Sequence, residues 1–162
     1  MIKITLFTRI LLISAVIFGA VSCKDETAEV GAQAPEIAVF DLQGNAVHLN
    51  DLQGKPVLLN FWSESCGICL FELKALQQRL QQSSVQIQIL AVNIDGERSD
   101  TAAVAGKNQI RLPIVKDQLH ITAERYGLIG TPTSFIIDPN GKILYKFEGL
   151  IPEDMLQQLF KG

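Results

Sequence analysis

Cysteine is scarce in this chain: its 162 residues hold three, with one tryptophan, two tyrosines and two histidines. Three cysteines cannot supply a disulfide framework, so a folded domain must be held by burial of apolar side chains. A tetrahedral zinc site takes four ligands and would need both His48 and His120 beside a cysteine pair, so neither a metal nor another cofactor is expected. Basic residues are not in excess: 14 Lys and Arg face 17 Asp and Glu, a net charge of −3. Without a basic cluster to neutralise phosphates, nucleic acid is not an expected partner. No apolar run reaches the ~20 residues needed to span a bilayer as a helix. Internal repeats and low-complexity stretches are absent as well.

What is present begins at the N-terminus. Lys3 and Arg9 precede an apolar stretch from Ile10 to Val21 that ends in small residues before Cys23, the pattern of an export signal over residues 1–22. Ala20-Val21-Ser22-Cys23 resembles a bacterial lipobox, which implies cleavage before Cys23 and lipid on its sulfur; ordinary cleavage after small residues is the other reading. Lipidation is preferred, because an unmodified third thiol in an oxidising compartment would be a liability beside a reactive cysteine pair. Several acyl chains would then hold the protein to a membrane. Residues 23–34 are polar and acidic, a tether. Residues 35–162 are long enough for one domain with its own core, expected as a monomer.

The most informative local feature is Cys66-Gly67-Ile68-Cys69. It follows an apolar run, Val57 to Trp62, and opens a pattern in which Cys69, Leu73, Leu76 and Leu80 recur at helical spacing. A first cysteine delivered to a helix N-terminus meets unpaired backbone N–H groups, which favour thiolate over thiol. Such placements lower a cysteine pKa from ~8.5 into the range ~3.5 to 7.5. Cys66 is therefore the expected nucleophile, and Cys69, one turn further on the same side, can close a ring onto it.

Around this pair the pattern predicts a hairpin from Ile37–Phe40 and Ala46–Leu49, and a helical turn at Asn50–Gly54. Strands are predicted at Val57–Trp62, Val85–Ile94 and Leu112–Val115, with helices at Ser99–Gly106 and His120–Tyr126. A second hairpin, Ser134–Ile137 with Lys142–Phe147, turns at Asp138-Pro139-Asn140-Gly141, and Glu153–Phe160 is the last helix. Strands alternating with helices before a terminal hairpin give an α/β fold: a mixed central sheet with helices on both faces.

From about Val30 onward the chain resembles the thioredoxin superfamily and, within it, the exported TlpA/ResA-like branch of thiol-disulfide oxidoreductases. The resemblance rests on Gly31-x-x-Ala34-Pro35, Asp41-Leu42-x-Gly44, Leu52-x-Gly54-Lys55-Pro56 and Val57 to Trp62. It rests further on the Cys66/Cys69 pair and on the run from Tyr126 through Thr131-Pro132-Thr133 to Asp138. It implies a thioredoxin-like fold with an N-terminal β-hairpin extension, and a redox-active disulfide between Cys66 and Cys69. It also implies a cis peptide before Pro132 lying against the cysteines, and a Thr131 backbone that pairs with an extended substrate segment. Glu72 matches a glutamate near the redox pair of ResA-like proteins and could shuttle a proton to the resolving sulfur; a solvated helix glutamate is the alternative. Asn60 stands where many thioredoxins bury an aspartate, and an amide carries no proton at neutral pH. Ser65, Ile68 and Lys74 depart from residues common in the superfamily, which bears on the redox potential; Lys74 in place of proline implies a straighter helix.

The resemblance implies an enzyme of the cell envelope, lipid-anchored at Cys23 and facing the periplasm or exterior, that reduces disulfides of specific exported proteins. Apocytochrome c and copper-site proteins are candidate clients, and a DsbD/CcdA-like membrane protein is the candidate electron donor. Two other functions compete. A peroxiredoxin-like peroxidase is suggested by Ser63-Glu64-Ser65-Cys66, but Leu59 stands where that pattern wants proline. A copper-binding thiol carrier could use two soft thiolates, but the related Sco-type carriers space them as Cys-x-x-x-Cys.

Overall fold

The computed structural model describes residues 27–161; the export signal, Cys23 and the first residues of the tether lie outside them. The elements run β1 (Val39–Asp41), β2 (Ala46–Val47), a 3-10 turn (Leu49–Leu52), β3 (Val57–Trp62), α1 (Gly67–Gln82), β4 (Gln88–Asn93), α2 (Thr101–Lys107), β5 (Ile114–Lys116), α3 (Ile121–Arg125), β6 (Thr133–Ile137), β7 (Ile143–Glu148) and α4 (Glu153–Leu159). The strands form one sheet in the order β2-β1-β5-β4-β3-β6-β7. β3, β4 and β5 are parallel, and the β1–β2 and β6–β7 hairpins close the two sides antiparallel. This is the expected mixed sheet with an N-terminal hairpin.

β3 is central, and all six of its residues are buried, which is why it reads as a continuous apolar run rather than an alternating one. Its side chains feed two cores in turn. Leu58 and Trp62 join Cys69, Leu73 and Leu76 of α1 and Leu156 of α4 on one face. Val57, Leu59 and Phe61 meet Tyr126, Phe135 and Leu49 on the other. There the rings of Phe61, Tyr126 and Phe135 pack with centroids 5.0 to 5.9 Å apart, and the buried Tyr126 hydroxyl donates to the Pro35 carbonyl at 2.8 Å. Burial also pushes the Tyr126 phenol well above its ordinary pKa.

Both hairpins turn on the same chemistry. Asp41 Oδ1 accepts from the Gln43 and Asn45 N–H groups, and Asp138 Oδ1 from those of Asn140 and Lys142, so each aspartate replaces backbone partners the turn cannot provide. Gly44 and Gly141 follow at φ +88° and +86°, where a Cβ would be strained.

Most element ends shift by one or two residues from those the sequence suggests, and two boundaries differ by more. The fold begins before Pro35: Ala28 N–H donates to Arg125 O, Gly31 N–H to Ile143 O and Ala34 N–H to Gly141 O, at 2.8 to 2.9 Å. Half of the expected tether is thus bound to the domain through its backbone, which polar side chains do not advertise. Val85–Ile87 stays outside β4 despite its composition, because Val85 N–H is taken by Ser83 Oγ at 3.0 Å and the pairing with β3 starts at Gln88.

Candidate redox site

β3 ends at Trp62, a short turn follows, and α1 starts with Cys66 as its N-cap residue. Cys66 and Cys69 are disulfide-bonded, with an S–S distance of 2.05 Å and Cα atoms 5.2 Å apart. Cys66 Sγ accepts from the Cys69 N–H at 3.2 Å, so the sulfur fills the place a serine or aspartate oxygen takes at other helix starts. The two sulfurs are not equivalent: Cys66 is half-buried, whereas Cys69 has no exposed surface.

Opposite them the 127–132 loop brings the Thr131 carbonyl oxygen to 3.8 Å from Cys66 Sγ. The Thr131–Pro132 peptide is cis, as the resemblance implied, and Pro132 is buried. The loop leaves α3 at Tyr126, whose ring is fixed in the core, and enters β6 at Thr133, whose Oγ1 donates to the Gly130 carbonyl at 2.8 Å. Both ends of the loop are therefore anchored.

Glu72, one turn beyond Cys69, is not a solvated glutamate: only 3% of its surface is exposed. Its Oε1 accepts from the Ile151 N–H and its Oε2 from Asn60 Nδ2, each at 2.7 Å. Asn60 Nδ2 also donates to Ser134 Oγ at 2.9 Å, so the Glu72 carboxyl of α1 joins β3 to the segment before α4, and Asn60 extends the network to β6. Loss of hydration raises the Glu72 pKa, while the hydrogen bonds from Ile151 and Asn60 pull the other way. Asn60 Oδ1 and Trp62 Nε1 are buried without a protein partner.

A disulfide at a helix start, on a sheet of this topology and faced by a cis-proline loop, is the working end of a thioredoxin-like fold. The protein is a thiol-disulfide oxidoreductase. Comparison with known proteins makes this specific: the chain belongs to the AhpC/TSA family, whose pattern matches residues 30–146. It is similar to the thiol-disulfide oxidoreductase ResA of Bacillus thuringiensis subsp. konkukian, 31% identical over 143 residues that span 85% of this chain and 80% of ResA. ResA of Bacillus subtilis is 29% identical over 141 residues, 86% of this chain and 79% of that one. Among solved structures, the thioredoxin domain of a thiol-disulfide oxidoreductase from Bacteroides vulgatus superposes with a TM-score of 0.69 at 28% identity, covering 82% of this chain and 96% of the other. A thiol:disulfide interchange protein from Bacteroides sp. gives 0.68 at 28% identity, covering 85% and 93%.

The structure thus brings Cys66 and Cys69 up to the Thr131–Pro132 loop, with Cys66 and Thr131 partly exposed and Cys69, Pro132 and Glu72 buried. Ser134 and the Ile151 N–H are site components that sequence reading passes over; a serine within a strand and a backbone amide carry no signal of their own.

Proposed function

We propose that this oxidoreductase works as a reductant of exported proteins at the cell envelope, with Cys66 attacking and Cys69 resolving. The observation that carries the assignment is the asymmetry of the pair: the half-exposed sulfur is the one that accepts an N–H at the helix start, and its partner is buried. In the reduced enzyme the Cys66 thiolate attacks one sulfur of a client disulfide. The client S–S bond breaks, a mixed disulfide forms, and the departing client thiolate takes a proton. Cys69 then gives up its proton and attacks Cys66 Sγ; the Cys66–Cys69 bond forms and the second client thiol leaves. Two electrons have moved to the client, and the enzyme is returned to its dithiol by a donor that is itself a dithiol.

Glu72 is suited to receive the Cys69 proton. It lies three residues on along the same helix, and its buried carboxyl binds a proton more tightly than an exposed glutamate does. The Thr131 backbone borders Cys66 where an extended client segment joined to that sulfur would run. Export and a lipid at Cys23 rest on the N-terminal sequence; they would keep the enzyme beside a DsbD/CcdA-like membrane donor, with apocytochrome c or copper-site proteins among the clients.

Cys69→Ser leaves the attacking thiol without a resolving partner, so cells expressing it should accumulate mixed disulfides of exported proteins, recoverable under non-reducing conditions. Equal trapping by Cys66→Ser would show the assigned order of attack to be wrong, and trapping by neither would remove the proposed activity.

A further inference from the structure

The turn that delivers Cys66 is held from the neighbouring strand by one carboxylate. Trp62 and Asn93, the last residues of β3 and β4, are paired in register, and Ile94 N–H donates to Trp62 O at 3.1 Å. The two strands therefore leave the sheet side by side. Two residues past the end of β4 a side chain reaches across: Asp95 Oδ1 accepts from Ser63 Oγ at 2.6 Å, and Asp95 Oδ2 from Glu64 N–H at 2.7 Å. Asp95 is itself aimed by the buried Asn93, whose Nδ2 donates to Oδ2 at 2.7 Å and whose Oδ1 accepts the Asp95 N–H at 3.1 Å. The Ser63 carbonyl in turn accepts from Cys66 N–H at 3.1 Å, so the clasp ends on the residue that bears the reactive sulfur.

Ser63, Glu64 and Asn93 all present donors, and a carboxylate accepts from all three without offering a hydrogen of its own. Hydrogen bonds to an ionised acceptor at these lengths are the strong kind. Asp95 is exposed, so it holds the turn without the desolvation cost of a buried charge.

We infer that Asp95 is a positioning residue for thiol-disulfide exchange: by fixing the 63–65 turn it holds Cys66 Sγ at the α1 N-terminus and beside Thr131. The inference rests on Cys66 being the attacking sulfur. When the clasp is lost, the sulfur spends less time at the Cys69 N–H, so thiolate forms at higher pH and the approach to a disulfide is less well aimed.

The test is the rate at which pre-reduced protein reduces insulin disulfides, measured across pH with the folded fraction matched. Asp95→Ala should react about tenfold more slowly or worse, with its pH–rate profile moved to higher pH. Asp95→Asn can accept from Glu64 N–H and Asn93 through Oδ1 while its Nδ2 donates to Ser63 Oγ, whose hydroxyl turns to Ser65 Oγ, 3.2 Å away; it should recover most of the rate. Asp100→Ala, which removes only the α2 cap on the Ala103 N–H, should match wild type. Should Asp95→Ala not fold, Ser63→Ala, lacking one donor of the clasp, should shift rate and profile the same way by a smaller factor. Wild-type behaviour in Asp95→Ala, no recovery in Asp95→Asn, or equal slowing in Asp100→Ala would overturn the inference. A wild type that reduces no insulin, or a Cys66→Ser variant that keeps its rate, would instead sink the redox reading beneath it.

Discussion

Glu72 offers the clearest separation of hydrogen bonding from charge. In Glu72→Ala, the Ile151 N–H and one Asn60 amide hydrogen lose their acceptor in a buried site, each at a cost of about 1–3 kcal/mol. The cavity adds to this, so a total loss of about 3–5 kcal/mol is expected. Glu72→Gln behaves differently. If the Asn60 amide turns over, its unpartnered Oδ1 accepts from both the new amide and Ser134 Oγ, while the glutamine oxygen keeps the Ile151 N–H. The exchange should cost less than about 1.5 kcal/mol at low pH. The pH dependence carries the rest of the argument. Burial raises the folded-state pKa above the ordinary 4.5, so between the two values the folded form holds the proton more tightly than the unfolded one. The protonated carboxyl's contribution to stability is complete below the ordinary value and is lost as pH rises through the folded-state value. Glutamine does not titrate. Its stability relative to wild type should therefore climb across that window and level off above it, the climb reading the shift at ~1.4 kcal/mol per unit. Urea unfolding of the oxidised proteins between about pH 4 and 8 measures it. A difference that is flat with pH, or that falls as pH rises, would refute a raised Glu72.

The core and the anchor can be tested more simply. Leu73, fully buried between α1 and β3, should cost about 2–5 kcal/mol when replaced by alanine, read as a lower urea midpoint with an unchanged slope. A labelled fatty acid fed to cells should enter the wild-type protein and not Cys23→Ser; an unlabelled wild type would remove the lipid from the proposal.

The redox pair was legible because its chemistry is local. A strand-like run, two cysteines at i and i+3 and a helical period are contiguous in the chain, and a helix start polarises its N-cap whatever surrounds it. The hairpin turns were legible for the same reason, since Asp41 and Asp138 bind amides two and four residues away. Glu72 was only half legible: its spacing put it near Cys69, but nothing local distinguishes an exposed helix glutamate from a buried one. Its burial depends on Asn60 and Ile151, which lie 12 and 79 residues away. The Asp95 clasp was not legible at all, because an aspartate in a polar loop looks like any solvated charge until β3 and β4 end side by side.

The amino-acid sequence alone therefore determined which sulfur meets the helix amides and that its neighbour can reach it, because both follow from residues within one turn of each other. Tertiary structure decided what those sulfurs face and how they are held: the Thr131 carbonyl, the Glu72–Asn60–Ser134 cluster, the Asp95 clasp and the backbone that docks from Ala28. Each of these joins segments distant in the chain, so it exists only once strand order and register have brought their backbones within hydrogen-bonding distance.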